Sequence, residues 1–211
     1  MRFRKDGEET RQRILKVASR LFAEKGYRNT THEQICRLAK VNTAAINYHF
    51  RKKETLYAEA WQMAFSELLK KHPADGGVSP DAKPEERLHG MILSILRRIT
   101  DPDNKIFEII NKEHANPTGI LTETIGKTIM PIRTGIESIV RKILGGKASE
   151  QDVQLCRMSI MSQCFRRRRR IGGHDSVIDK MDIEEIAAHI THFSIDGING
   201  VRKRLESGKS R

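Results

Sequence analysis

Cysteine is scarce in this 211-residue chain, and long apolar runs and alternating strand-like runs are missing. The three cysteines, Cys36, Cys156 and Cys164, are scattered, and such an odd number favours a reducing compartment over a disulfide scaffold. No window approaches about eighteen uninterrupted apolar residues, so the sequence predicts no membrane-spanning helix. The first residues also lack the apolar segment of a signal peptide, and we expect a cytoplasmic protein.

Patterns that carry catalysis or bind metal are equally scarce. We find no nucleophile elbow, no glycine loop of the kind that cradles phosphate and no paired acid and base. Cys156 and Cys164 are separated by about 12 Å of helical rise, which is too far for one ion. His189 and His192 alone would make a weak chelate. The sequence therefore predicts a protein that is not an enzyme and needs no metal and no cofactor.

Positive charge is what the chain has in excess, with a formal net charge of +12 and a pI near 9.8. Residues 1–61 hold 14 lysines and arginines against 7 acidic residues, so more than half of the surplus lies in under a third of the chain. Such a surplus favours an anionic partner, and both nucleic acid and an acidic membrane surface qualify.

Five consecutive arginines, Arg166–Arg170, account for much of the remaining charge. We expect them at a helix end and in the following loop, because arginine complements the dipole at a helix C-terminus. A contact with an acidic patch or an anionic effector, and a second DNA contact, are the alternatives.

Helical periodicity dominates the chain, and the predicted fold class is all-α. Apolar residues recur at steps of three and four from Ile14 to Phe22, which indicates an amphipathic helix. A short second helix follows, capped by Thr30 or Thr31. We expect this helix to turn Ile35 and Leu38 towards the core. Asn42 is the expected cap of a third helix at about 43–49, and a fourth begins near Glu54.

A segment rich in proline and glycine, 72–84, is the best candidate for a break in the chain. Longer helices are predicted after it, over 84–100, 103–114, 118–144, 149–167 and 182–206. The predicted architecture is an N-terminal helix-turn-helix three-helix bundle (residues 8–55) joined to a larger C-terminal helical domain for ligand binding and dimerisation (56–208).

The second and third helices, joined at 39–42, have the arrangement of a helix-turn-helix whose second helix probes DNA. On a helical period Ile46 and Phe50 face inward, while Thr43, Asn47 and Tyr48 face outward. The amide of Asn47 can pair with an adenine edge, and the methyl group of Thr43 can meet a thymine methyl.

Three further features of this region suit a DNA backbone. The hydroxyl of Tyr48 can donate to a phosphate, and Lys53 falls at the start of the next helix, where exposed N–H groups also favour phosphate. Arg51 and Lys52 add salt-dependent attraction without reading sequence.

From Arg13 to Trp61 the chain resembles the DNA-binding domain of the TetR family of bacterial transcriptional repressors. The matching segments are ILKVASRLFAEKGY (14–27), TTHEQICRLAKVN (30–42) and INYHFRKKETLY (46–57). The resemblance implies a homodimer that places one recognition helix of each subunit in the major groove. Its implied base and phosphate contacts are Thr31, Thr43, Ala44, Tyr48, His49 and Lys53. Together with Asn42 and Asn47 they form our predicted DNA-binding set.

The sequence departs from the family pattern at two positions. Lys40 occupies the turn where the family usually has glycine, and a left-handed backbone there would cost on the order of 1 kcal/mol. Asn47 stands where tyrosine is common, so the operator sequence does not transfer from relatives.

The predicted homodimer uses the helices at 149–167 and 182–206. Both are apolar on most faces and need cover on more than one side, as a four-helix bundle between subunits would provide. Gly197 and Gly200 would allow a close helix approach. The alternative is that both helices lie at the centre of a single monomer.

The resemblance also implies an effector pocket in the C-terminal body. Methionine suits promiscuous pockets, although an apolar Met or Phe is more often plain core. Glu113 and His114 would supply polar contacts to the effector or would be solvated. The stretch 111–132 resembles a subgroup of the family linked to antibiotic and xenobiotic sensing. The predicted ligand-binding residues are Phe107, Ile110, His114, Met158, Met161 and Phe165.

These observations predict a repressor that binds a palindromic DNA operator and is released by a small-molecule effector. It would act in the bacterial cytoplasm, at the nucleoid when bound to DNA, without membrane contact. Two other functions stay open, a sequence-nonspecific architectural DNA-binding protein and a cytosolic helical protein that binds an anionic metabolite. A preference of about 10³-fold or more for one DNA site would separate a regulator from an architectural protein.

Overall fold

A computed structural model describes residues 2–166 and 181–208, and in these residues the chain forms nine helices and no strand. The predicted all-α fold class is confirmed. Residues 167–170 of the arginine run lie outside the described residues, and Arg166 is the last residue of a helix. No helix in the described part of the chain is long and apolar enough to cross a bilayer. The helices are α1 (Arg2–Lys25), α2 (His32–Ala39), α3 (Thr43–Phe50), α4 (Lys53–Lys71), α5 (Pro84–Thr100), α6 (Lys105–Ala115), α7 (Thr122–Leu144), α8 (Glu150–Arg166) and α9 (Ile183–Glu206).

The chain divides into two compact units, and each unit is made of two segments that are separate in the sequence. The first unit comprises the residues up to Lys70 together with Pro102–Ile129, and the second comprises Lys71–Asp101 together with the residues from Met130 onward. The first boundary between the units, after Lys70, lies next to the predicted break at 72–84. Helix α6, however, groups with the N-terminal helices, which the sequence did not predict. The predicted boundary between residues 55 and 56 stays a prediction.

In the first unit, α1 packs against α2 and α6, and α2 packs against α3. The prediction that Leu38 faces the core is wrong, because its side chain is 41% exposed. The buried stripe of α2 is centred between Ile35, Cys36 and Ala39, and Leu38 lies about 100° away from that centre on the helical wheel. The largest buried side chains of this unit are Ile14, Phe22, Ile35, Ile46, Phe50, Leu56, Tyr57, Trp61 and Ile109.

Capping explains where α2 begins. The hydroxyl of Thr31 accepts a hydrogen bond from the backbone amide of Gln34 at 3.2 Å, and the Gln34 side chain accepts one from the Thr31 amide. Thr31 is therefore the cap, and Thr30 is buried instead. The Thr30 hydroxyl donates to the carbonyl of Gly26 at 2.8 Å, which ties the start of α2 to the end of α1.

In the second unit, α5 packs against α8 and α9, and α8 packs against α9. Helix α5 buries an apolar stripe that comprises Leu88, Met91, Ile92, Ile95, Leu96 and Ile99. The buried core of this unit includes Leu88, Ile92, Leu96, Ile136, Val140, Val153, Ile160, Ala187 and Ile198.

The turn before α5 lies directly on that helix. A Cβ atom at Gly90 would lie 2.7 Å from the carbonyl oxygen of Asp75 and 2.5 Å from a methyl group of Val78. The hydroxyl of Ser94, one helical turn further on, donates to the carbonyl of Pro73. Glycine at position 90 is therefore what lets the turn approach α5 so closely.

We expect Gly90→Ala to destabilise the fold by about 1–3 kcal/mol, because the added methyl group overlaps the Asp75 carbonyl and the turn has to shift away from α5. The measurement is the urea-unfolding midpoint at a single protein concentration. Gly126→Ala is the matched control, since Gly126 is a helical glycine at which an added Cβ atom would have no neighbour within 4 Å. The control should gain about 0.5–1 kcal/mol. Equal effects of the two substitutions would contradict the close approach at Gly90.

Candidate nucleic-acid interface

The third helix presents a polar face to solvent. Ile46 and Phe50 are buried, at 1% and 2% exposure, and they hold the opposite face of α3 against the core. The Tyr48 side chain is 83% exposed. The residues that face outward, as predicted, are Thr43, Ala44, Asn47 and Tyr48.

Caps at the starts of α2 and α3 hold two predicted contacts in place. The side-chain oxygen of Asn42 accepts a hydrogen bond from the amide of Ala45 at 2.9 Å, which confirms Asn42 as the cap of α3. This bond uses the oxygen of Asn42 and leaves its NH₂ group as a donor. Asn42 and Thr31 are both exposed, whereas His49 is half-buried. The helix N-termini therefore offer polar groups together with their backbone amides.

Backbone strain flanks the recognition helix on both sides. Lys40 adopts φ 52° and ψ 50°, the left-handed conformation considered from the sequence, and Arg51 adopts φ 57° and ψ −47°. Among the described residues these two are the non-glycine residues with positive φ. Arg51 is the centre of a γ-turn in which the amide of Lys52 donates to the carbonyl of Phe50 at 2.5 Å. Such conformations cost about 1–3 kcal/mol each and cluster at functional sites.

Lys53 is the first residue of α4, where a cation opposes the helix dipole. Its Nζ lies 4.2 Å from the centroid of the Tyr27 ring, and burial lowers the pKa of Lys53. The Tyr27 hydroxyl donates to Oε1 of Glu54 at 2.7 Å. Burial, with help from the Glu54 carboxylate, raises the pKa of Tyr27 to about 12. An anionic partner at this helix end would offset the unfavourable position of the lysine.

The predicted effector residues fall in different units. Phe107, Ile110 and His114 lie on α6 in the first unit, and His114 is exposed. The other three lie on α8 in the second unit. Met161 is half-buried there, while Met158 and Phe165 are 52% and 37% exposed. The effector lining stays a prediction.

Glu113, for which the sequence left two roles open, is engaged within the protein. It accepts hydrogen bonds from the Tyr57 hydroxyl at 2.8 Å and from the amide of Thr118 at 3.1 Å. Sequence reasoning missed this role, because no local spacing relates position 113 to position 57.

Two of the grooves in the described part of the chain are lined by none of the six predicted effector residues. One, of about 270 Å³, lies between the end of α1 and α6, and Arg28, Asn111 and Lys112 are among the residues that line it. The other, of about 720 Å³, runs along α8 and α9. Its walls are largely apolar, and they include Leu155, Ile160, Phe193, Ile198 and Val201.

The α8–α9 face has no cover in the described part of the chain. Leu155 and Phe193 are 38% and 64% exposed, although both are large apolar residues. A Cβ atom at Gly197 or Gly200 would meet no atom within 4 Å. Glycine in the middle of a helix is unfavourable, and no packing within the described residues compensates for it here.

Comparison with known proteins identifies two family matches. Residues 14–60 match the family described as bacterial regulatory proteins of the tetR family. Residues 84–198, more than half of the chain, match the C-terminal domain of the HTH-type transcriptional dual regulator CecR.

Individual relatives agree with these matches. Over 65 residues the chain is 38% identical to the HTH-type transcriptional regulator AcrR of Shigella flexneri, covering 31% of this chain and 30% of AcrR. Over 117 residues it is 29% identical to the regulator SrpR of Pseudomonas putida, covering 55% of this chain and 52% of SrpR. The chain thus spans 30% of the length of AcrR and 52% of the length of SrpR.

A solved structure shares the fold. AibR, solved in complex with isovaleryl coenzyme A and operator DNA, superposes with a TM-score of 0.64 at 20% identity, covering 87% of this chain and 97% of AibR. The helix-turn-helix with its exposed third helix lies within the region that matches the tetR-family model. The chain belongs to the TetR family of bacterial regulatory proteins, with a C-terminal domain of the CecR type.

Replacing Lys40 by glycine should stabilise the protein by about 0.5–1 kcal/mol, because glycine adopts the left-handed conformation without strain. The measurement is the free energy of unfolding from urea titration. Lys52→Gly is the matched control, since it removes the same charge from an exposed residue that has no positive φ. A gain of equal size in both variants would show that charge, not backbone strain, is responsible.

Proposed function

We propose that the protein is a ligand-responsive transcription regulator that binds a palindromic DNA operator as a homodimer. It acts as a repressor in the bacterial cytoplasm and is released by a small-molecule effector. The observation that carries the proposal is the exposed face of α3 with Thr43, Asn47 and Tyr48, bordered by the basic residues Lys40 and Arg51.

The recognition helix would enter the major groove with Asn47 reading an adenine edge and Thr43 meeting a thymine methyl group. Ala44 is small enough for the backbone to approach the bases. The remaining predicted contacts would hold the DNA backbone and set the register of the helix. They are Thr31, Asn42, Tyr48, His49 and Lys53.

The α8–α9 face would pair with the same face of a second copy. Two-fold pairing is the usual symmetry of such assemblies, and it would cover Leu155 and Phe193 together with the glycines at 197 and 200. A dimer would also present two recognition helices, which is what a palindromic operator requires.

Effector release is supported by the fold that the chain shares with AibR, whose structure holds both an acyl-coenzyme A and operator DNA. The ligand would have to bind the two conformational states with different affinity in order to change DNA binding. Phe107, Ile110 and His114 on α6, and Met158, Met161 and Phe165 on α8, stay the proposed lining of the effector site.

Selection of bound sequences from a random DNA pool tests the DNA-binding half of the proposal. On the selected operator, Tyr48→Ala and Lys53→Ala should both weaken binding in a gel-shift assay, because each removes a proposed phosphate contact. For Lys53→Ala the slope of log affinity against log salt should become shallower by about 1.

Lys142→Ala is a matched control for Lys53→Ala, since it removes the same charge from an exposed position on α7. It should leave the salt slope unchanged. Unaltered affinity in both Tyr48→Ala and Lys53→Ala would refute our assignment of the contacts.

Substituting Phe193 by aspartate should disrupt the dimer, because two charged groups would then be buried without partners at the paired face. The measurement is the molar mass in solution by light scattering at micromolar concentration, which should fall by half. Tyr48→Asp introduces the same change at another exposed aromatic residue and should leave the mass unchanged. A wild-type protein that stays monomeric at every concentration would contradict the proposal.

A further inference from the structure

The ammonium group of Lys53 is held by an aromatic ring and is not fully in solvent. Lys53 is half-buried, and its Nζ lies over the ring of Tyr27 at 4.2 Å from the centroid. A cation at this distance is attracted by the ring quadrupole, which restricts where the long side chain can place its charge. The position of Tyr27 therefore decides where the charge of Lys53 is presented.

Tyr27 is in turn fixed at its hydroxyl and at its ring. The hydroxyl donates to Glu54 in the first turn of α4 at 2.7 Å. The ring centroid lies 5.1 Å from that of Tyr57 and 6.2 Å from that of Phe22, within the range of favourable aromatic pairs. A displacement of Tyr57 would thus displace Tyr27.

Tyr57 is fully buried, and its hydroxyl reaches α6. It donates to Oε1 of Glu113 at 2.8 Å, and burial together with this carboxylate raises the pKa of Tyr57. The Glu113 carboxylate also accepts from the amide and the hydroxyl of Thr118, at 3.1 and 3.0 Å. Glu113 therefore joins the segment after α6 to the aromatic cluster of Phe22, Tyr27 and Tyr57.

We propose that Glu113 is a positioning residue for DNA binding, which acts through Tyr57 and Tyr27 to fix the ammonium group of Lys53. The inference rests on the proposed DNA-binding function and extends it to a residue that is not on the exposed face of α3. A phenylalanine at position 57 would fill the core without a buried polar pair. The hydroxyl and the carboxylate add directionality, because their hydrogen bond specifies one relative position of α4 and α6.

The direction in which Glu113→Gln changes the affinity for DNA distinguishes a positioning role from general electrostatics. Glu113→Gln removes one negative charge, and by long-range attraction alone that change strengthens binding to DNA. A glutamine, however, replaces one acceptor oxygen by an NH₂ group, so either the Tyr57 hydroxyl has to reverse from donor to acceptor or the Thr118 amide loses its acceptor. We expect Glu113→Gln to weaken operator binding about fivefold in spite of its more favourable charge.

The experiment is a double-mutant cycle on the selected operator with Glu113→Gln, Lys53→Ala and both together. If Glu113 acts through Lys53, the double variant binds no more weakly than Lys53→Ala alone. Glu67→Gln is the matched control, because it makes the same chemical change at an exposed position on α4. The control should bind as tightly as the wild type or slightly more tightly. Tyr57→Phe, which removes the hydroxyl and keeps the ring, takes the place of Glu113→Gln if that variant folds poorly.

A measurement without DNA separates this inference from the proposed function. In the wild type the ε-methylene protons of Lys53 should show an upfield ring-current shift in the NMR spectrum, assigned by comparison with Lys53→Arg. The shift should shrink in Glu113→Gln and persist in Glu67→Gln. If the wild type shows these shifts and binds no selected DNA, the proposed function fails and the role in DNA binding fails with it. If the wild type binds DNA, two outcomes would overturn the inference. In the first, Glu113→Gln binds the operator as tightly as Glu67→Gln. In the second, the loss of binding free energy caused by Glu113→Gln adds in full to the loss caused by Lys53→Ala.

Discussion

The exposed polar face of α3 depends on the burial of Ile46 and Phe50. On a period of 3.6 residues Tyr48 lies about 180° from the midpoint of Ile46 and Phe50, so burying those two side chains turns Tyr48 towards solvent. Asn47 lies at the border of the buried face, and Thr43 is exposed as the first residue of the helix. A helix of eight residues is too short to be stable alone. Burial of two large apolar side chains contributes about 1.5–3 kcal/mol each, and this tertiary contribution is what holds the helix and its polar face in place.

Around this face several local features oppose folding stability. Lys40 and Arg51 occupy positive-φ backbone conformations that glycine adopts more easily. Lys53 is the first residue of α4, where the helix dipole disfavours a cation. All three residues are basic, and they border the recognition helix or begin the next one. Violations of local rules that gather at one site are expected where function competes with folding. Binding of an anionic partner near Lys53 would offset the electrostatic part of this unfavourable free energy.

The two compact units show how tertiary contacts reassign parts of the chain. Helix α6 packs on α1, and Glu113 on α6 accepts a hydrogen bond from Tyr57 on α4, so this helix belongs with the N-terminal bundle. In the second unit α8 and α9 pack on α5 and on each other, yet Leu155 and Phe193 stay exposed on a shared face. One unit is thus completed by a distant segment of the chain, whereas the other presents an apolar surface for which the described residues offer no cover.

The sequence by itself determined the all-α class, the helix-turn-helix, the cap at Asn42 and the outward set of α3, because periodicity and capping act between residues a few positions apart. It also limited the cap of α2 to two threonines and placed the later helices near their observed bounds, whereas α1 begins at Arg2, well before the periodic segment that starts at Ile14. Only the tertiary structure decided that Thr30 is buried against the end of α1, which leaves Thr31 as the cap, that Leu38 is exposed, and that Glu113 is engaged in a hydrogen-bonded network. The contact of Lys53 with Tyr27 belongs to the same group. These outcomes depend on distances between helices, and such distances follow from how whole elements pack and not from the spacing of residues along the chain.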